Sequence, residues 1–181
     1  MKWRNAFWGR FPVVRASSLF YYAKGGDVAQ ILYAMKYHAR KKLCCRMGEY
    51  MAGELCDSGF FEGIDYLLPV PLFSSRLRQR GYNQSELLAR GISCVTGIPL
   101  CTDAVVRSRN NATQTHKSGY ARWQNVDRLF LPTPHAANLH DKHILLVDDV
   151  LTTGATLVAC ADALLGVENI KISVLTLAWA R

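Results

Sequence analysis

The sequence lacks any apolar run approaching the ~20 residues that cross a bilayer; the longest near its ends, "ISVLTLAWA", is far shorter. No charged-then-apolar leader opens it, so a soluble, cytoplasmic protein without a membrane span is expected. It has six cysteines but no C-x-x-C: Cys44 and Cys45 are adjacent, and Cys56, Cys94, Cys101 and Cys160 are scattered. Its five histidines make no H-x-x-x-H ladder. The spacing therefore argues for buried thiols in a reducing compartment rather than a zinc site. No G-x-x-x-x-G-K-[ST] occurs, which removes the P-loop nucleotidases. Acid is scarcer than base, 14 Asp and Glu against 22 Lys and Arg, for a net charge of +8. The excess is N-terminal, since residues 1–90 carry 14 basic against 7 acidic side chains. Clusters such as "ARKKLCCR" and "RLRQR" attract polyphosphates or nucleic acid, and fit solvated helix faces equally well.

What is present is a chain of 181 residues with 50% hydrophobic content, enough for one compact domain with a full core. The opening "MKWRNAFWGRFPVVRASSLFYY" mixes aromatics and arginines without periodicity and reads as an irregular segment or a hairpin. After Asp27, apolar residues at Val28, Ile31, Leu32 and Met35 predict a helix, and Met47, Met51 and Leu55 predict a second. "DYLLPVPLF" predicts a buried strand from Asp65 to Val70. A basic loop with Arg76, Arg78, Arg80 and Gly81 follows, then a helix capped by Asn83 or Ser85 with Leu87, Leu88 and Ile92 on one face. "LCTDAVVRSR" suits another strand, and "NNATQTHKSGYARWQN" a mobile loop ending in a short helix. "ILLVDD", then "GATLVACADALLG", then "IKISVLTLAWA" read as strand, helix and strand. Alternating strands and helices with continuously apolar strands predict an α/β fold around a mostly parallel sheet covered on both faces.

The chemistry concentrates in "ILLVDDVLTTGAT", Ile144 to Thr156. In an open parallel sheet ligands gather beyond the carboxyl ends of the strands, where Asp148 and Asp149 are expected. The following Thr152, Thr153, Gly154, Ala155 and Thr156 lead into a helix N-terminus, whose unpaired N–H groups and positive dipole suit a phosphate. A purely structural reading also stands, in which the acids end a strand and the threonines cap a helix. A phospho-receiver domain pairs acids in this way too, but only 32 residues follow Asp149, too few for its remaining repeats. A ribose 5-phosphate satisfies both halves at once, its hydroxyls donating to carboxylates while its phosphate sits on the helix.

This segment resembles the phosphoribosyl-pyrophosphate signature of the type I phosphoribosyltransferases. "LLPVPLFSSRLRQRGYNQSELLA" and "AMKYHARKKL", with Lys36 and Tyr37, are similar to the ComF/GntX-like, competence-associated subgroup, as is "TQTHKSGYARWQNV" with Gln114, Ser118, Arg122 and Asn125. The resemblance implies the type I phosphoribosyltransferase fold with a small N-terminal hood. Residues 1–60 would form a helical and aromatic hood packed on a core of residues 61–181. It also implies that Asp148 and Asp149 contact the ribose hydroxyls and that Thr152 to Thr156 bind the 5-phosphate. Arg76 and Arg80, with backbone donors around Pro71 and Leu72 and with Asn83, would face pyrophosphate, and Pro71 suits a tight or cis turn. Gln114, Lys117 and Arg122 would belong to a loop closing over substrate.

The implied activity is phosphoribosyl transfer from phosphoribosyl pyrophosphate to an amine or nucleobase, with magnesium held mainly by the substrate. Typical members begin with a cysteine-rich zinc ribbon, but nothing before Cys44 contains a cysteine, so no zinc is expected in this chain. No His, Cys or Glu stands out as a general base. The alternative is a non-catalytic protein that binds nucleotide or single-stranded DNA in DNA uptake, or a competence-protein partner. Arginines and lysines with Trp3, Phe7, Trp8, Tyr21 and Tyr22 would serve that role. Aromatics near the N-terminus also suit a homodimer interface.

Overall fold

The computed structural model describes residues 11–37, 40–108 and 129–180. Its main sheet has four parallel strands, β1 (Val13–Tyr22), β2 (Tyr66–Pro69), β5 (His143–Leu151) and β6 (Lys171–Ala180), in the order β1-β6-β5-β2. A separate antiparallel ribbon joins β3 (Val105–Arg107) to β4 (Phe130–Pro132). Helices α1 (Asp27–Tyr37) and α2 (Lys41–Cys56) follow β1. Helices α3 (Ser74–Arg80) and α4 (Gln84–Thr96) follow β2, and α5 (Ala155–Asp162) follows β5. A 3-10 turn spans Pro134–Leu139. Among the described residues no helix is long and apolar enough to cross a membrane.

Side chains alternate between the two faces of a strand, so one apolar run can feed two cores. Leu68, Ile144, Leu146, Ile172 and Val174 pack with Leu157, Cys160 and Leu164 from α5 and its C-terminal end, and with Val105 and Phe130 of the ribbon. Leu67, Leu145, Val147, Leu175 and Leu177 face the other way, against Leu32 and Met35 of α1, Met51 of α2, and Leu88 and Ile92 of α4. The continuous "ILLV" of β5 is explained by this: all four residues are fully buried, two on each side. Each fully buried side chain of this size contributes roughly 1.5–3 kcal/mol.

On the second face α2 and α4 touch backbone to backbone. A Cβ on Gly48 would lie 2.1 Å from the Leu88 carbonyl oxygen, and one on Gly91 would lie 2.0 Å from that of Cys45. Only glycine permits this approach, and it fixes where α4 begins.

Four expectations are corrected. Residues Val13–Tyr22 form neither an irregular segment nor a hairpin but a ten-residue strand running parallel to the C-terminal strand. The first 60 residues thus supply a strand of the main sheet as well as the helices packed on it. Among the described residues β1 has one sheet neighbour, and most of it is only half-buried, so it needs no continuous apolar run. The basic loop contains α3, which buries none of its residues and so shows no apolar stripe in the sequence. Strand β5 does not end with the acids but continues to Leu151, because β6 keeps pairing through Trp179. The peptide bond before Pro71 is trans.

Candidate functional site

Beyond the neighbouring β2 and β5, at their carboxyl ends, lies a cavity of about 210 Å³. Its wall includes Lys36, Pro71, Leu72, Arg76, Arg80, Asn83, Gln84, Ser85, Arg107, Asp148, Asp149, Thr152 and Thr156. Four cations and two carboxylates thus face one small volume, a balance suited to an anion that also carries hydroxyl donors.

Local structure delivers each group. Asn83 is the N-cap of α4: its Oδ1 accepts from the Ser85 N–H at 3.2 Å, and its Nδ2 donates to the Val70 carbonyl at 3.0 Å. One side chain therefore starts the helix and ties it to the end of β2. Two residues into the cap motif, the Ser85 hydroxyl donates to Asp148 Oδ1 at 2.9 Å. The Asp149 N–H donates to the same oxygen at 2.9 Å. Lys36, from the last turn of α1, pairs through Nζ with Asp149 Oδ2 at 2.9 Å. That turn is itself held in place: the Tyr82 hydroxyl donates to the Met35 carbonyl at 2.6 Å, and the Arg80 guanidinium lies 5.5 Å from the centre of the Tyr37 ring.

The two acids are not equivalent. Burial pushes the Asp148 carboxyl up to about 7, and the charge of Asp149 pushes the same way. The Asp149 N–H, the Ser85 hydroxyl and Lys36 act against that rise without cancelling it. Arg107 is shifted downward, first by burial and then by the charge of Arg76, while Asp148 opposes the shift.

Arg76 and Arg80 lie one helical turn apart and both line the cavity, whereas Arg78 is exposed and is not on its wall. Thr152 and Thr156 reach the wall, and Thr153, Gly154 and Ala155 form the turn between them. Gly154 has φ 78°, a left-handed conformation that costs other residues roughly 1–2 kcal/mol, and it starts α5 without a side-chain cap. The Thr153 Oγ1 accepts from the Ala155 N–H at 3.4 Å. Gln114, Lys117 and Arg122 lie outside the described residues.

Several wall residues were not singled out as site residues from the sequence. Lys36 stands only in a matched Lys-Tyr pair, Ser85 reads as a helix cap, and Gln84 carries no signal of its own. Arg107, on a three-residue strand, gave no local signal. Gln84 is 3% exposed, and its Oε1 has no hydrogen-bond partner among the described residues, which leaves a buried acceptor at the wall of a polar cavity.

The phosphoribosyl transferase domain family matches residues 78–180, more than half of the chain. The chain belongs to the type I phosphoribosyltransferase family. Its ComF-like character follows from relatives outside that domain description. It is 37% identical over 108 residues to Competence protein F of Haemophilus influenzae, covering 59% of this chain and 47% of that protein. It is 30% identical over 142 residues to DNA utilization protein YhgH of Escherichia coli K12, covering 76% and 61% respectively. Against Competence protein ComFC of Bacillus subtilis it is 34% identical over 99 residues, covering 55% and 38%. The alignments thus span roughly half the length of these curated relatives. The family match includes Arg80, Asn83, Ser85 and both acids of the cavity wall, while Lys36 and Arg76 precede it.

Among the described residues no group of three or more His, Cys, Asp or Glu gathers to hold a metal ion. Asp148 and Asp149 already have partners.

Proposed function

We propose that this ComF-like chain binds phosphoribosyl pyrophosphate and transfers its phosphoribosyl group to an amine or nucleobase. One observation carries the reading: two carboxylates, a threonine-lined helix start and two helix-spaced arginines share a single 210 Å³ cavity. Asp148 and Asp149 accept the ribose hydroxyls. Thr152 to Thr156, with the N-terminus of α5, hold the 5-phosphate. Arg76 and Arg80, helped by backbone donors after Pro71, stabilise charge on the departing pyrophosphate. Lys36 keeps the two adjacent carboxylates from repelling each other before substrate arrives.

Calorimetry with phosphoribosyl pyrophosphate and magnesium tests this, repeated on Asp149→Asn. Binding by the parent chain with a loss of tenfold or more in the variant is expected. Equal affinity in both would refute the site. Release of pyrophosphate with an amine or nucleobase then establishes transfer.

A second reading draws on Arg80 of helix α3 beside Tyr37, and on relatives named for competence and DNA utilization. In it the same cavity holds a nucleotide or a single-stranded DNA end without catalysis. That reading expects single-stranded DNA affinity that falls steeply with salt, and no pyrophosphate release.

A further inference from the structure

Helices α2 and α4 cross with their backbones in contact at Gly48 and Gly91, and each carries a free cysteine beside the crossing. Cys45 precedes Gly48 by one helical turn and is half-buried; Cys94 follows Gly91 by one turn and is exposed. We propose that these two thiols form a reversible disulfide that staples α2 to α4, with a low-molecular-weight disulfide as the oxidant.

The direction of the crossing brings them together. A Cβ on Gly48 would meet Leu88 and Gly91, and one on Gly91 would meet Cys45 and Glu49, so α4 runs back along α2 as α2 advances. An added Cβ on Gly91 would lie 2.0 Å from the Cys45 carbonyl oxygen, and Cys94 stands one turn further along α4. That step rises about 4.5 Å, on the scale of the roughly 4.4–6.8 Å that a disulfide spans between Cα atoms. Cα–Cβ bonds tilt toward a helix's N-terminus. In this antiparallel pair Cys45 therefore leans toward the level of Cys94, and Cys94 leans back toward Cys45. The Cys45 thiol is pushed up by burial first, then by the charges of Glu49 and Cys94, with Arg90 opposing, so Cys94 is among the groups whose charge it feels.

Exposure sets the order of the chemistry. Cys94 meets the oxidant first: its thiolate attacks one sulfur of the small disulfide, whose S–S bond breaks and whose other sulfur leaves as a thiolate that takes a proton from solvent. Cys45 then gives its proton to solvent and attacks the Cys94 sulfur, forming the Sγ–Sγ bond and expelling the second small thiol. Two protein thiols are oxidised and one small disulfide is reduced to two thiols. Cys44 and Cys160 are fully buried, and burial pushes Cys44 up to about 12, which shields both from this exchange. Stapled at the crossing, α4 no longer shifts along α2, and its start, with Asn83, Gln84 and Ser85, is held at the cavity wall whatever ligand the cavity takes.

Glutathione disulfide added to the full chain tests this, with alkylation of the remaining thiols, intact mass and fragment mapping. Two of the six thiols should disappear together, the bridge should map to Cys45 and Cys94, and excess dithiothreitol should restore both. The thermal midpoint of the bridged chain should rise by about 5 °C or more. Cys45→Ser should stop with one glutathione attached to Cys94, Cys94→Ser should leave Cys45 reduced, and Cys56→Ser should bridge like the parent. Cys94 is exposed, so Cys94→Ser keeps the fold and decides the question should Cys45→Ser destabilise the crossing. A parent chain that keeps all six thiols, holds glutathione on Cys94 without closing the bridge, bridges a different pair, or gains no heat stability when bridged overturns the proposal.

Discussion

Asp148 and Asp149 are adjacent and chemically identical, yet their partners give them different work. Asp149, on strand β5, is buried against a cation from helix α1, so the contact with Lys36 decides whether its charge is tolerated. Replacing Lys36 with methionine leaves two neighbouring carboxylates without that cation. Fully buried pairs broken in this way cost 3–5 kcal/mol. Lys36 keeps some solvent contact, with 24% side-chain exposure, so a loss of about 1–2 kcal/mol is expected in urea unfolding at pH 7.5. Asp148 depends instead on a hydroxyl. Ser85→Ala removes a donor that favours its ionised form, and hydrogen bonds to charged groups are worth about 1.5–3 kcal/mol. Affinity for phosphoribosyl pyrophosphate at pH 7 should therefore fall about tenfold or more by calorimetry, with recovery toward higher pH as the acid ionises. The Asp-Asp pair was legible because two acids behind four aliphatics are rare and local. Lys36 was not, because its role exists only after α1 packs across the sheet and carries it to a residue 113 positions later.

Elements matter here through where they start. Helix α4 presents Asn83, Gln84 and Ser85 to the cavity from its first turn, and its place is set half a helix away by the Gly48–Gly91 contact. Gly91→Ala puts a methyl 2.0 Å from the Cys45 carbonyl oxygen, backbone that no side-chain rotation can relieve. The helices must separate, at a cost of about 1–3 kcal/mol typical of overpacking. Thermal unfolding should show that loss, and affinity for phosphoribosyl pyrophosphate should fall with it because the Ser85 hydroxyl is carried away from Asp148. A mutant that lost stability but kept full affinity would show that α2 does not position the helix start. The same distinction explains which elements the sequence announced. Helices α1, α2 and α4 bury one stripe each and show 3.6-residue spacing. Helix α3 buries nothing, so its two turns look like loop, and β1 is recognisable only through the strand it meets.

At the scale of the whole molecule, the parallel sheet places its two titrating ends about one strand length apart, and they respond to pH in opposite directions. At the amino end, buried His143 contacts Ser173 through Nε2 at 2.9 Å, and its backbone N–H donates to Asp65 at 2.8 Å. Burial lowers its pKa from 6.5, with the charge of Arg15 acting the same way. The unfolded chain therefore takes up that proton first as pH falls below 6.5, and stability drops with it. At the carboxyl end, Asp148 is raised from 3.8 to about 7. The unfolded chain loses this proton first as pH rises above 3.8, so the folded state is progressively penalised until Asp148 ionises near pH 7. In the parent protein the two slopes offset each other between about pH 4 and 6.5. Single substitutions should separate them in urea unfolding across that range. Asp148→Asn leaves the histidine alone, so stability should rise with pH, and at pH 8 the variant should exceed the parent by on the order of 1 kcal/mol or more, despite losing ligand affinity. His143→Gln leaves the acid alone, so stability should fall as pH rises. Parallel curves for the parent and Asp148→Asn would mean that the carboxylate carries no burial penalty. The cavity would then be less costly to the fold than its geometry implies. A rising gap would show that the ligand site is held together against the preference of its own acid, by the sheet that positions it.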